Sequence, residues 1–226
     1  MRRALLIVGK APQAGSAKTR LVPPLSPADA AALYRGFLLD SVALGLGLGW
    51  ERVSVVHPTG HQRALMEFLP EPVQLFEQRG GDLVTALASA FEAHLAEGFD
   101  RVVLIGSDNP TLPRAPIDNA CAALDQFDLS IGPTADGGWY LLGMREPHVG
   151  VFENIEWSTP RVYAQTLDQA ERLGLRVHAV HEWYDVDEPN DLVRLQRELA
   201  DSSPDVAPNT RAALARVSSA VGTRRH

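Results

Sequence analysis

Short apolar runs alternate with amphipathic stretches along most of the chain, and this alternation predicts an α/β protein. The runs at residues 4–8 and 101–106 are almost entirely apolar, which is typical of parallel strands buried on both faces. Further strands are predicted at residues 52–57, 73–76, 128–132, 139–144 and 175–180. Helical spacing of apolar side chains predicts helices at residues 27–45, 61–68, 83–95, 117–124, 160–173 and 191–200.

The order of these elements predicts a mostly parallel sheet with helices on both faces. Strand and helix alternate as far as residue 132, and parallel neighbours need such helical crossovers. Only a turn at residues 135–138 separates the next two strands, so the strand at 139–144 could pair antiparallel. Ser26 followed by Pro27, and the segment at 158–160, predict two helix N-termini.

Length and composition limit the classes of protein to which the chain can belong. Its 226 residues are enough for one large α/β domain or barely for two small ones. A net charge of −7 argues against nucleic acid as a partner, and no apolar stretch approaches the length of a membrane span. The apolar run near the N-terminus is too short for a signal peptide, so we expect a cytoplasmic protein. The single cysteine, Cys121, excludes an intramolecular disulfide.

The loop after the first strand concentrates positive charge in an otherwise acidic protein. Residues 9–21 read GKAPQAGSAKTRL and contain both lysines of the chain, Lys10 and Lys18, together with Arg20. The cationic side chains and the free backbone N–H groups could bind phosphate oxygens, and the glycines would let the backbone approach them closely. A Walker A loop matches poorly, because that motif has Gly directly before its Lys and this chain has Ala17. The alternative is a solvated basic surface loop.

Three aspartates follow predicted strands at the edge of the sheet where open α/β proteins bind ligands. Asp108 comes after the strand at 101–106, and Asp185 and Asp187 come after the strand at 175–180. A hard divalent cation bridges carboxylates to substrate phosphates, so these side chains are candidate ligands of Mg²⁺ or Mn²⁺. The alternative is that Asp108 stabilises a turn and that the other two cap a helix. Together with the basic loop, the three aspartates favour a metal–diphosphate site.

The segment GPTADGGWYLLG, residues 132–143, is a candidate substrate-binding turn. Gly137 and Gly138 would let the backbone approach a ligand, Asp136 could accept hydrogen bonds from hydroxyl groups, and Trp139 offers a flat apolar wall. The alternative is a plain turn followed by aromatic residues of the core.

With these segments in hand, the chain resembles a known family. GKAPQAGSAKTRL, IGSDNPTL, GPTADGGWYLLG, FENIEWST and DVDEPNDL occur in that order. They resemble the bacterial DUF2064 family of arsenosugar-biosynthesis-type or selenodomain-associated transferases, in the GT-A-like nucleotide-diphospho-sugar transferase superfamily. The likeness covers about residues 4–200. It implies one Rossmann-like three-layer α/β/α domain with a mixed sheet over residues 1–200, and residues 201–226 are predicted to follow as a weakly ordered tail or a short helix near 210–220.

The resemblance also implies roles for individual residues. The candidate catalytic residues are Lys18, Arg20 and Asp108, and the candidate metal ligands are Asp108, Asp185 and Asp187. The residues expected at the nucleotide are Ala11, Pro12, Gly15, Lys18, Thr19, Arg20, Gln78, Gly81 and Asp82. Val84 departs from the family, which usually has Gly there, and this leaves the contact made by residues 78–83 open. Residues 157–159 fit the family pattern without an assigned role.

The superfamily supports two reactions, both with a small-molecule acceptor. In glycosyl transfer, the acceptor attacks the anomeric carbon of a nucleotide sugar and a nucleoside diphosphate leaves. In nucleotidyl transfer, an acceptor phosphate attacks the α-phosphorus of an NTP and pyrophosphate leaves, as in the phospholactate guanylyltransferases. We take metal-dependent glycosyl transfer as the leading hypothesis and nucleotidyl transfer as the alternative. A non-catalytic nucleotide-binding protein is the third hypothesis, and it gives no reason for three strand-end aspartates.

Overall fold

The computed structural model describes residues 1–223, and a seven-stranded sheet runs through them. Its strands are β1 Arg3–Val8, β2 Arg52–His57, β3 Gln74–Glu77, β4 Arg101–Gly106, β5 Leu129–Pro133, β6 Trp139–Met144 and β7 Val177–Ala179. They lie in the order β3-β2-β1-β4-β6-β5-β7. β6 runs antiparallel to β4 and β5, and the other neighbouring pairs are parallel. The prediction of a mostly parallel mixed sheet with β6 reversed is confirmed.

Helices cover both faces of this sheet, as predicted. In the described residues they are α1 Pro27–Gly47, α2 Gln62–Met66, α3 Leu83–Ala96, α4 Arg114–Ala123, α5 Val162–Arg172, α6 Pro189–Asp201 and α7 Pro208–Thr223. Successive residues of a strand point to opposite faces. Leu5 of β1 therefore packs with Leu38 of α1 and Ile117 of α4, whereas Leu6 packs on the other face with Phe91 of α3. The result is a three-layer α/β/α domain.

Some of the predicted element bounds match the structure and others do not. β2, β4 and β6 have the bounds that the sequence predicts. Ser26 caps α1 as expected, because its hydroxyl accepts from the N–H of Asp29 (3.1 Å). The predicted start of α5 is wrong. Ser158 has a φ of 64°, the helix begins only at Val162, and the Thr159 hydroxyl instead donates to the carbonyl of Glu156 (2.7 Å).

α1 is unusually apolar because much of it is buried in the core. No stretch of membrane-span length was expected from the sequence, but within the described residues α1 is long and apolar enough to cross a membrane, judged by length and composition alone. It packs on the sheet with one side, and in its most apolar window 61% is buried inside the protein. Its apolar surface is the surface of a core helix.

α7 docks on α1 through a buried carboxylate. Asp40 of α1 accepts hydrogen bonds from the N–H of Asn209 (3.0 Å), from the side-chain amide of Asn209 (2.8 Å) and from the N–H of Thr210 (2.8 Å). The first N–H groups of a helix have no partner within it, so Asp40 caps α7 from a different helix. Residues 201–223, expected as a tail or short helix, thus contain a 16-residue packed helix. Residues 224–226 lie outside the described residues.

Candidate active site

The loop after β1 is held on a fixed path by hydrogen bonds. Lys10 Nζ donates to the carbonyl of Ser16 (2.8 Å), and the N–H of Lys10 donates to the hydroxyl of Tyr34 (3.0 Å). The N–H of Ala11 donates to Nδ1 of His61 (2.9 Å). The loop is therefore tied both to itself and to the helices that follow β1 and β2.

Lys18 reaches from this loop to two of the predicted carboxylates. Its Nζ lies 2.6 Å from Oδ1 of Asp108 and 2.8 Å from Oδ1 of Asp187, and 5.7 Å from the centre of the Phe37 ring. Its side chain is only 5% exposed. Burial disfavours the charged form, but the two carboxylates outweigh it and raise the pKa of Lys18 above its ordinary value. Lys18 is therefore a buried ammonium group.

The backbone at Lys18 is strained. Its φ of 48° and ψ of 45° place it in the left-handed region, directly before the short 3₁₀ helix Thr19–Leu21. A residue with a Cβ pays about 1–2 kcal/mol for this conformation. The strain persists because the surrounding contacts hold the side chain against the carboxylates.

Asp185 lies beside this pair, and Asn109 orients it. The side-chain amide of Asn109 donates to Oδ1 of Asp185 and to the carbonyl of Tyr184 (2.7 Å). The N–H of Val186 donates to the carbonyl of Asp108 (2.9 Å). Burial, and then the nearby carboxylate of Asp108, raise the pKa of Asp185 to about 7, although the bond from Asn109 favours the charged form. A carboxyl group in this position gains from a nearby cation.

The oxygen atoms at this site fit a hard divalent cation in their chemistry. The side chains of Asp108 and Asp187 are 37% and 38% exposed, and each gives one oxygen to Lys18. Oδ1 of Asp108 is buried and has no other hydrogen-bond donor among the described residues, so the Lys18 ammonium is its partner. Among residues 1–223, no three His, Cys, Asp or Glu side chains are already arranged as a metal centre. The charge between the carboxylates is instead that of Lys18.

The turn between β5 and β6 forms the other end of the site. Asp136 Oδ1 accepts from the hydroxyl of Thr134 (2.5 Å) and from the N–H of Gly138 (3.1 Å). The rings of Trp139 and Trp157 meet edge to face, with centroids 6.1 Å apart. An aromatic wall therefore stands next to a carboxylate whose other oxygen, Oδ2, makes no hydrogen bond to the described residues.

Most of the predicted site residues line a single cleft of about 730 Å³. The predicted residues that line it are Lys18, Thr19, Arg20, Gln78, Asp108, Asp136, Gly138, Trp139, Asp185 and Asp187. The predicted residues that do not line it are Ala11, Pro12, Gly15, Gly81, Asp82 and Gly137. Asp82 caps α3, because its carboxylate accepts from the N–H of Thr85 (2.9 Å). Gly137 lies where the turn after β5 packs against the loop before α5, and the backbone of Pro160 leaves no room there for a side chain.

Several residues that line the cleft have no role predicted from the sequence. The hydroxyls of Tyr34 and Ser107 are hydrogen-bonded to each other (2.9 Å), and both residues line the cleft, as does Trp157. Asn109, which is buried behind the cleft and orients Asp185, also has no predicted role, although its place directly after a predicted metal ligand is a signal for one. Tyr34 lies within the apolar pattern of α1, and that pattern gives no sign of a polar role.

Two comparisons of sequence match the chain to known proteins. The model of the family described as "Uncharacterized protein conserved in bacteria (DUF2064)" matches residues 43–159. The 2-phospho-L-lactate guanylyltransferase of Methanothermobacter thermautotrophicus is 32% identical over 130 residues, which are 57% of this chain and 56% of the relative. The match thus spans little more than half the length of that curated relative.

Solved structures match over nearly the whole chain. A "putative nucleotide-diphospho-sugar transferase" from Desulfovibrio desulfuricans G20 is 31% identical with a TM-score of 0.86, covering 97% of this chain and 98% of that chain. The manganese complex of Rv0371C from Mycobacterium tuberculosis H37Rv is 17% identical with a TM-score of 0.54, covering 87% of this chain and 98% of that chain. The second likeness is one of fold alone.

Proposed function

The chain belongs to the DUF2064 family, and it shares its fold with a putative nucleotide-diphospho-sugar transferase. From this and from the geometry of the cleft, we propose that it is a metal-dependent nucleotidyltransferase. Its substrates would be a nucleoside triphosphate and a small phosphorylated acceptor. GTP is the first candidate, since the curated relative is a guanylyltransferase. The observation that carries the proposal is the contact of Lys18 with Asp108 and Asp187, which joins the basic loop to the carboxylates in one cleft.

The charge at the loop end of the cleft supports a triphosphate rather than a nucleotide sugar. Lys10, Lys18 and Arg20 all line this end. A triphosphate carries more negative charge than the diphosphate of a nucleotide sugar, so it gains more from three cations. Cations on the leaving group also matter more in nucleotidyl transfer, because pyrophosphate has one more ionisable oxygen than the nucleoside diphosphate that leaves in glycosyl transfer. We therefore propose nucleotidyl transfer ahead of glycosyl transfer, which is the leading hypothesis from sequence alone.

The proposed reaction forms one bond and breaks one. An oxygen of the acceptor phosphate attacks the α-phosphorus of the NTP, and the bond from that phosphorus to the bridging oxygen breaks. Pyrophosphate leaves with the electron pair, and Lys18 and Arg20 neutralise its charge. A divalent cation held by Asp108, Asp185 and Asp187 would supply further charge neutralisation and polarise phosphate oxygens. Asn109 would keep Asp185 oriented for this role.

The other end of the cleft would take the acceptor. Trp139 and Trp157 offer apolar ring surface, and the free oxygen of Asp136 can accept from a hydroxyl group. Residues 157–159, which the sequence left without a role, would thus contribute a wall of the acceptor pocket. Mg²⁺ or Mn²⁺ dependence and a cytoplasmic location remain predictions.

Glycosyl transfer is the second candidate function. The relative from Desulfovibrio desulfuricans G20, matched over 97% of this chain, carries a nucleotide-diphospho-sugar transferase name. In that reaction the aromatic end of the cleft would hold the donor sugar, and the nucleoside diphosphate would leave from the loop end.

Calorimetry with GTP, GDP and GDP-mannose in the presence of Mg²⁺ separates the two candidates. We expect GTP to bind at least about tenfold more tightly than GDP-mannose, a difference of about 1.4 kcal/mol. When a small-molecule acceptor is added, the products identify the reaction, since pyrophosphate is released in nucleotidyl transfer and GDP in glycosyl transfer. Tighter binding of GDP-mannose, with GDP as the product, would overturn the proposal in favour of glycosyl transfer.

A further inference from the structure

We infer that Lys18 is a stand-in cation, by which we mean that its ammonium group neutralises Asp108 and Asp187 in the ligand-free enzyme, where the divalent metal would otherwise do so. When metal and nucleotide bind together, the ammonium group moves to the substrate phosphates. This inference rests on the proposed function. It gives Lys18 a positioning role, holding Asp108 and Asp187 together before substrate arrives, in addition to its contact with phosphate.

The first support is the geometry of the contact. One nitrogen atom lies within 2.8 Å of carboxylate oxygens from two distant parts of the chain, at Asp108 and Asp187. Two carboxylates drawn this close repel each other unless a positive charge lies between them. Oδ1 of Asp108 is buried and has no donor other than Lys18 among the described residues, so removal of the ammonium would leave this oxygen without a partner.

The second support is that the contact requires an unfavourable backbone conformation and the burial of a charged side chain. The left-handed backbone at Lys18 is unfavourable for a residue with a Cβ, and the side chain is 95% removed from solvent. Lys10 in the same loop shows the ordinary alternative, because its Nζ donates to the carbonyl of Ser16 within the loop. The strained lysine, and not the relaxed one, is the lysine that meets the carboxylates.

A stand-in cation predicts that metal and nucleotide help each other to bind. Metal alone must displace a buried ion pair, so its affinity for the free protein is reduced. A triphosphate offers Lys18 new partners, which lowers the cost of that displacement. The coupling is reciprocal, so metal also raises the affinity for nucleotide.

A fixed ion pair is the competing arrangement. Asp108 and Asp187 each keep more than a third of their side chain exposed to the cleft. A metal bound through the outer oxygen atoms would then leave Lys18 where it is. The two arrangements differ in what happens to Lys18 when metal binds, and this difference can be measured.

The first experiment measures Mn²⁺ binding to metal-stripped protein without nucleotide, by electron paramagnetic resonance. Wild type is compared with Lys18→Met and with Lys10→Met, which removes the same charge from the same loop. We expect Lys18→Met to bind Mn²⁺ at least about tenfold more tightly than wild type, and Lys10→Met to change the affinity by no more than about twofold. Equal affinity in the two variants would overturn the inference, because a general loss of positive charge would then explain any gain.

The second experiment uses wild-type protein and does not depend on how a variant folds. Lys10 and Lys18 are the two lysines of the chain, so reductive methylation followed by mass spectrometry reports each separately. Without metal, we expect Lys18 to react more slowly than Lys10. Mg²⁺ at a concentration that raises the melting temperature should speed the reaction of Lys18 severalfold and leave Lys10 as the internal control. An unchanged rate at Lys18 would establish the fixed ion pair instead.

These results also separate the inference from the proposed function. If Mn²⁺ binds equally to all three proteins and GTP turnover depends on it, the nucleotidyltransferase proposal stands and the stand-in role falls. If none of the three proteins binds Mn²⁺, even with GTP present, the metal-dependent function fails and the stand-in role fails with it.

Discussion

The backbone of Pro160 packs directly against Gly137, so that a Cβ at Gly137 would lie 2.1 Å from the Pro160 carbonyl oxygen. The N–H of Tyr163 also donates to the carbonyl of Gly137 (2.9 Å). Together these contacts lock the turn after β5 to the loop that carries Trp157. The aromatic end of the cleft is therefore set by a contact between two loops.

Gly137→Ala should destabilise the protein and displace this end of the cleft. Its φ of 89° and the overlap with Pro160 both oppose a side chain. We expect a loss of about 2–4 kcal/mol in the free energy of unfolding, measured in urea. Gly15→Ala is the matched control, because Gly15 has a φ of 81° and no atom within 4 Å of the added Cβ. Equal losses in both variants would mean that backbone strain alone is responsible.

Asp108→Ala should abolish metal-dependent turnover and leave the fold intact. The strand-end carboxylate contributes little to the core, whereas its loss removes a proposed metal ligand and one partner of Lys18. We expect a fall of at least about 100-fold in kcat/KM for pyrophosphate formation, or about 2.7 kcal/mol. Circular dichroism checks the fold. A variant that keeps full activity would contradict the metal assignment.

Arg20→Ala should weaken the binding of GTP far more than that of GMP. Arg20 lines the loop end of the cleft and is proposed to meet the outer phosphates. Calorimetry should show about a tenfold loss of affinity for GTP, and little change for GMP. An equal loss for both nucleotides would place Arg20 at the α-phosphate or the ribose.

Asp40→Ala should release α7 from α1. The substitution leaves three donors at the N-terminus of α7 without their partner, and we expect a loss of about 2–4 kcal/mol in stability. Hydrogen exchange should show faster exchange across residues 208–217. Asp201→Ala, at the exposed end of α6, is the control and should change stability by less than about 0.5 kcal/mol. Unchanged exchange in α7 would show that apolar packing alone holds the helix.

Asp128 should contribute stability that is lost in acid. Hydrogen bonds from the side chain and N–H of Arg176, with help from Arg145, lower the pKa of Asp128 to about 2 from its ordinary 3.8. The folded pKa lies below the unfolded one, so the stabilisation is fully present above about pH 4 and is lost as the pH falls towards 2.

Asp128→Asn tests this dependence. It should lower stability at neutral pH by about 1 kcal/mol, since Arg176 is exposed and solvent screens the pair. The difference from wild type should shrink as the pH falls from about 4 towards 2, measured by thermal unfolding across that range. A difference that stays constant with pH would point to packing rather than charge.

The parts of the structure that follow from local pattern could be predicted from the sequence. β4 is apolar over nearly its whole length, and β6 follows β5 after a turn too short for a helix, so both the central strand and the reversed strand were evident. The edge of the sheet at which Asp108 and Lys18 meet also follows, because the carboxyl ends of parallel strands share one edge.

Contacts between distant segments could not be predicted. Asp40 and Asn209 are separated by 169 positions, and neither shows a local sign of the bond between them. Gly137 was expected at the substrate because two adjacent glycines suggest close approach to a ligand, but the group that approaches is Pro160. Asp82 shows the same ambiguity, since the sequence alone does not decide between capping a helix and touching a ribose.

The reversal of β6 has a consequence for how this enzyme class can diversify. The chain reverses at the ligand edge in a short hairpin at residues 134–138, so that corner of the cleft is encoded in a few adjacent codons. The loops that carry Lys18 and Asp108, after β1 and β4, lie outside this stretch. Under the proposed function, small insertions or replacements there would exchange one acceptor for another while the residues proposed to bind phosphate are inherited unaltered.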